Sequence, residues 1–139
     1  MDYQSKFTGP EIDLYLEAAK KLSEIETYDG FKTEDDWQVG SVDISKSGNF
    51  VEVNIRGIKY ISDQSLINPS YKGPFILGIL PEGFRPRFAV SSALNDSVRI
   101  YNGAVTIYAD GRIGIFRNGN IAMPTNASLH FTFITDGNS

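Results

Sequence analysis

The chain has 139 residues, 41% of them hydrophobic and 22% charged, with a formal net charge of −4; this supports one core with a short appendage and excludes an electrostatic footprint for nucleic acid or an anionic membrane. No apolar run reaches the roughly 20 residues of a membrane span, and the polar start Met1–Pro10 has no signal-peptide core, so no membrane insertion and synthesis in the cytoplasm are expected. Cys is absent and His130 is the single His, which removes disulfides, thiolate nucleophiles and any multi-His metal site within one subunit.

Residues 1–26 are expected to be helical. Thr8-Gly9-Pro10-Glu11 has the form of a capping box, and Pro10 suits the first turn. Ile12, Tyr15, Ala19 and Leu22 then form an apolar stripe, with Leu16 and Ile25 beside it. A helix this short needs a partner surface. Two partners fit: the core of its own domain, or copies of itself in a short parallel bundle. Residues 27–36 are polar, with Asp29, Glu34, Asp35 and Asp36, and Asp29-Gly30 marks a turn. The composition predicts a linker from helix to head.

From Trp37 the period changes to two. Val51, Val53 and Ile55 alternate with Glu52, Asn54 and Arg56, which predicts a half-buried strand preceded by a Ser47-Gly48-Asn49 turn. Gly57 interrupts the alternation as a bulge would. Residues 62–74 read as loop. Phe75 to Leu80 reads as a strand buried on both faces, and Phe88 to Leu94 as the next strand, closed by an Asn95-Asp96 turn. Val98 to Ala109 and Gly111 to Phe116 make the clearest hairpin, joined at Asp110-Gly111. The last strand spans Ala127 to Thr135, with Leu129, Phe131 and Phe133 on one face and His130, Thr132 and Ile134 on the other. The expected fold is mainly β: a short N-terminal α-helix, then a C-terminal antiparallel β-barrel or sandwich head over residues 37–139.

The segment from Ile79 to Val90, with Pro81-Glu82-Gly83-Phe84-Arg85-Pro86 as its turn, resembles head domains of Gram-positive phage tail proteins. Val105 to Ile113 and Ala127 to Ile134 are similar to the same heads, and Phe7 to Asp13 resembles the helical entrance of some fibre and baseplate subunits. The resemblance implies a homotrimeric receptor-binding protein of a siphophage tail tip or baseplate. Its N-terminal bundle would dock to other tail proteins of the virion, and its head would bind host cell-wall saccharide. Nothing between helix and head is long enough for the extended neck of larger members, so an accessory or purely structural subunit is the alternative. An unrelated trimeric jelly-roll signalling module is a third reading.

No catalytic constellation is expected. Asp35 and Asp36 are neighbours in a polar stretch rather than carboxylates facing each other across a cleft. His130 lies in an alternating strand with no nucleophile elbow nearby, and no phosphate loop or calcium loop occurs. No cofactor and no metal are therefore expected, although a trimer axis could gather three copies of His130. For ligand binding, Trp37 offers a ring for stacking, or is a buried anchor of the head. Arg85 and Arg87 flank Pro86 and suit anionic groups such as a teichoic-acid-like phosphate, or else cover apolar surface or pair with Glu82. His130 is a further polar contact. Clefts between subunits, away from the helix, are the expected location.

Overall fold

The computed structural model describes residues 24–96, 103–117 and 123–135. The described residues form nine strands: β1 (Glu26–Thr27), β2 (Trp37–Gln38), β3 (Ser41–Ser47), β4 (Phe50–Tyr60), β5 (Phe75–Ile79), β6 (Val90–Asp96), β7 (Gly103–Ile107), β8 (Arg112–Phe116) and β9 (Ala127–Ile134). They form one antiparallel half-barrel in the order β1-β3-β4-β9-β6-β7-β8-β5, with β2 paired to the far end of β4. The head is mainly β, as its alternation predicted.

The backbone of this sheet is the β4–β9 pair. Val51 lies opposite Phe133, Val53 opposite Phe131 and Ile55 opposite Leu129, all pointing inward. Burying each such side chain contributes about 1.5–3 kcal/mol. Gly57 is the expected bulge. Its φ is 69° and the register slips between Arg56 and Ile58. The extra residue returns Ile58 to the core, where it is fully buried. The β7–β8 hairpin also forms as expected: Tyr108 N–H donates to Arg112 O at 2.9 Å across the Asp110-Gly111 turn.

Two expectations are corrected. Strand β6 runs Val90–Asp96, so Asn95 and Asp96 continue the strand and pair with Ser128 and Ala127. The turn chemistry of Asp96 is used at long range: its carboxylate accepts the N–H groups of Thr125 at 2.9 Å and Asn126 at 3.4 Å.

The second correction is the polar segment 27–36, which is built into the head. Glu26 and Thr27 pair with β3, and Tyr28 N–H donates to Ile44 O at 2.9 Å. Tyr28 and Phe31 pack against the core. Thr33 then bridges to Gly78 of β5, and Glu34 N–H donates to Leu77 O at 2.8 Å. The segment thus ties the β3 edge of the half-barrel to its β5 edge. Gly78 is required there: a Cβ at this position would lie 2.4 Å from Phe31 Cζ. Most of the helix expected over residues 1–26 lies outside the described residues; of its last three, Glu26 is in β1.

The loop after β4 carries a 3-10 turn, Gln64–Leu66. Arg117 pins the loop: it is 8% exposed, and donates from Nε to Tyr71 O and from Nη2 to Asn68 O, both at 3.0 Å. Its guanidinium also lies over the Phe75 ring.

Candidate functional site

The face of β3, β4 and β9 that points away from the core is a set of short polar rows. One row runs Ser41, Arg56, Ser128, Asn95. The next runs Asp43, Asn54, His130, and the next Thr27, Ser45, Glu52, Thr132. Only the last row, Ser47, Phe50, Ile134, is mainly apolar, and Ile25 lies beside Phe50 along a shallow pocket. The period-2 alternation fixes all of these positions, because the opposite face must carry the core.

The polar face is interrupted by a fork. Strand β9 is paired with the β6 segment at two points: Asn95 with Ser128 at one end, and Pro86 with Thr135 at the other. Between them, β9 advances seven residues (128 to 135) and the opposite chain nine (86 to 95). The two surplus residues make the chain bow outward, and β6 turns to pair with β7 instead. A cavity of about 280 Å³ opens there, lined by Asn54, Arg56, Ser128, Leu129 and His130 on one side and Ser92, Ala93 and Asn95 on the other.

The strand edges within this fork are unpaired. Main-chain polar groups alternate direction along a strand. Arg87 N–H donates to Ile134 O at 3.1 Å, so Ile134 presents its main chain toward the bowed segment. His130 and Thr132 share its phase and do the same. Tyr108 N–H bonds Arg112 O, so Ala104 and Thr106 also use β8, while Val105 and Ile107 use β6. Ser92 and Val90 are therefore bonded to β7, and Ala93 and Ser91 face β9. No pairing joins Ser91 or Ala93 to His130 or Thr132.

The residues expected to bind ligand are dispersed. Trp37 is 4% exposed and packs edge-on against Tyr60 at 5.1 Å, so its ring has no face for stacking; it is the buried anchor that its size favoured. Arg85 is half-buried and donates from Nε to Leu80 O at 2.9 Å, beside the Asp110-Gly111 turn. Arg87 is exposed at the far end of the fork. His130 alone lines the cavity, exposed, with Nε2 3.4 Å from Glu52 Oε2. Within one chain Trp37 is not brought together with the two arginines. Sequence reading missed Asn54, Arg56, Ser92, Asn95 and Ser128. Alternation could have placed Asn54, Arg56 and Ser128 on the outer face, but the fork arises from a register difference between distant segments.

The cavity offers amide, hydroxyl, guanidinium and imidazole groups within hydrogen-bonding reach of a small polar molecule. Among the described residues no Ser–His hydrogen bond occurs, and no three His, Asp or Glu side chains are grouped to hold a metal ion. No described helix is long and apolar enough to cross a membrane. No protein-family model matches the chain, and no curated protein matches it.

Proposed function

We propose that this chain is a non-enzymatic saccharide-binding adhesion module, the head of a phage tail or baseplate receptor-binding protein that acts as a homotrimer on a host cell wall. The observation that carries the saccharide reading is the fork: a cavity lined by short polar side chains and free strand edges, standing on the rigid β4–β9 pair. Sugar hydroxyls each donate and accept, and such a lining satisfies both roles. The phage setting rests on the sequence resemblance alone. Three copies in one particle would convert weak single-site contacts into firm attachment.

The test is adsorption of the full chain to a glycan array and to Gram-positive cells, with light scattering alongside. Binding that is lost in Asn54→Ala and Ser128→Ala at unchanged melting temperature supports the reading. A mass near 46 kDa, three times the 15.4 kDa chain, supports the trimer. A monomer mass at micromolar concentration sinks the trimer, and absence of binding to any glycan or cell sinks the adhesin.

One observation favours a second reading, a structural tail subunit. Ile25, Phe50 and Ile134 are 71, 59 and 46% exposed and form an apolar end to an otherwise polar face. Exposed apolar groups clustered in this way suit contact between subunits. A trimer that binds no glycan and dissociates on Phe50→Ser would decide for it.

A further inference from the structure

We infer that the fork between β6 and β9 takes the acetamido group of an N-acetylated amino sugar. The inference rests on the saccharide reading and specifies the sugar class. Four residues carry it. His130, which lines the cavity, and Thr132 next to it present N–H and C=O groups from one side of the fork; Ala93, which lines the cavity, and Ser91 next to it present theirs from the other, with no pairing between the two sides, and the Ala93 C=O accepts the Ser92 hydroxyl at 3.3 Å. Unpaired strand edges seek main-chain-like partners. A secondary amide is such a partner: it carries one donor and one acceptor, set trans across a plane, like a peptide unit.

Length decides between a sugar amide and a peptide. A peptide strand inserted between β9 and β6 would need a gap of about 9.5 Å, twice the usual strand spacing, along several residues. The fork is pinned shut at both ends, at Asn95–Ser128 and Pro86–Thr135, and its free edge is two residues long on each side. An edge this short matches the length of one amide unit rather than that of a continuing chain. The exposed Ala93 methyl supplies an apolar surface for the acetyl methyl, whereas the Leu129 side chain points into the core. Asn54 and Ser128 also line the cavity from the outer face, placed for ring hydroxyls. None of the described lining residues offers the aromatic platform that sugar sites often use.

The experiment is an amide-resolved NMR titration of the full chain with four probes: N-acetylglucosamine, glucosamine, glucose and N-acetylalanine methylamide. N-acetylglucosamine should shift the amides of Ser91, Ala93, His130 and Thr132, and bind about tenfold more tightly than glucosamine or glucose, the equivalent of one or two hydrogen bonds. Ala93→Pro removes a fork N–H that β7 does not use, and should abolish the tenfold preference with an unchanged spectrum elsewhere. If Ala93→Pro misfolds, Ala93→Leu blocks the mouth from outside and should have the same effect. Equal binding of glucose and N-acetylglucosamine at these amides overturns the acetamido assignment and leaves the saccharide reading standing. Equal or tighter binding of N-acetylalanine methylamide overturns it in favour of a peptide ligand. If no sugar shifts any amide, both the assignment and the saccharide reading fall.

Discussion

The half-barrel has two places where strands run out of partners, and they end differently. At the β3 and β5 edges, residues 26–34 cross over and supply main-chain bonds to both sides. At the fork between β6 and β9, two surplus residues hold the edges apart. The side chains explain why one closes and the other stays open. Tyr28 and Phe31 gain by burial against the core, so closure there is driven by removing apolar surface from water. Ser91, Ser92 and Ala93 are small and exposed, and would gain little by closing. Closure of a β edge is thus decided by what its side chains can bury, and the main-chain bonds follow.

The largest effect is expected from removing the closure. A chain beginning at Glu34 loses β1, two core-packed aromatics and the Thr33 bridge. Its loss should be about 3 kcal/mol, since each of the two partly buried aromatics contributes a part of the roughly 1.5–3 kcal/mol of a fully buried side chain and the main-chain bonds go with them. Circular dichroism melts should lose their cooperative transition; a melt matching the full chain would break the comparison. Gly78→Ala is next. It drives a methyl into the Phe31 ring and should cost about 1–3 kcal/mol in urea denaturation.

The fork can be tested in the opposite direction. Deleting Phe88 and Ala89 equalises the two paths at seven residues while preserving alternation. The edges should then pair, raising stability by about 1–2 kcal/mol and abolishing ligand binding. A deletion variant that still binds sugar with wild-type affinity would show that the fork is not the site. Asp96→Ala releases the Thr125 and Asn126 amides at the closed end of the fork, and should cost about 1 kcal/mol.

The smallest effect lies away from both edges. The Asp110 carboxyl is held below its ordinary value of 3.8, first by the backbone N–H of Arg112. A lowered folded-state pKa contributes stability that is present above 3.8 and lost as pH falls through the folded value. Asp110→Asn should therefore flatten the acid limb of the melting profile slightly and leave the neutral range unchanged. A larger change near neutral pH would show that Asp110 acts by another route.

The parts of the fold that could be read from the sequence are those whose cause is local. Alternation gave β4 and β9 their inward faces, Gly57 marked the bulge, and Asp110-Gly111 marked the hairpin. What escaped is decided by distant partners. Residues 27–36 have linker composition, and nothing nearby indicates that Tyr28 meets Ile44 or that Thr33 meets Gly78. Asn95-Asp96 has turn chemistry, but Asp96 spends it on a loop about thirty residues away. Of the expected site residues only His130 lines the cavity, because the fork depends on a difference in path length that no single segment contains. Trp37 was legible as a large aromatic whose size favours burial, and the structure buries it.

The placement of β1 has a mechanical consequence. Tension applied at Glu24 reaches two residues of β1 and the Tyr28–Ile44 bond before it reaches the β4–β9 ladder. These few bonds yield one after another rather than sharing the load. A head tethered at that end would lengthen first by shedding its closing segment, while the long β4–β9 ladder beneath the fork stayed intact. Single-molecule pulling from residue 24 should register this as a weak early step preceding the main rupture.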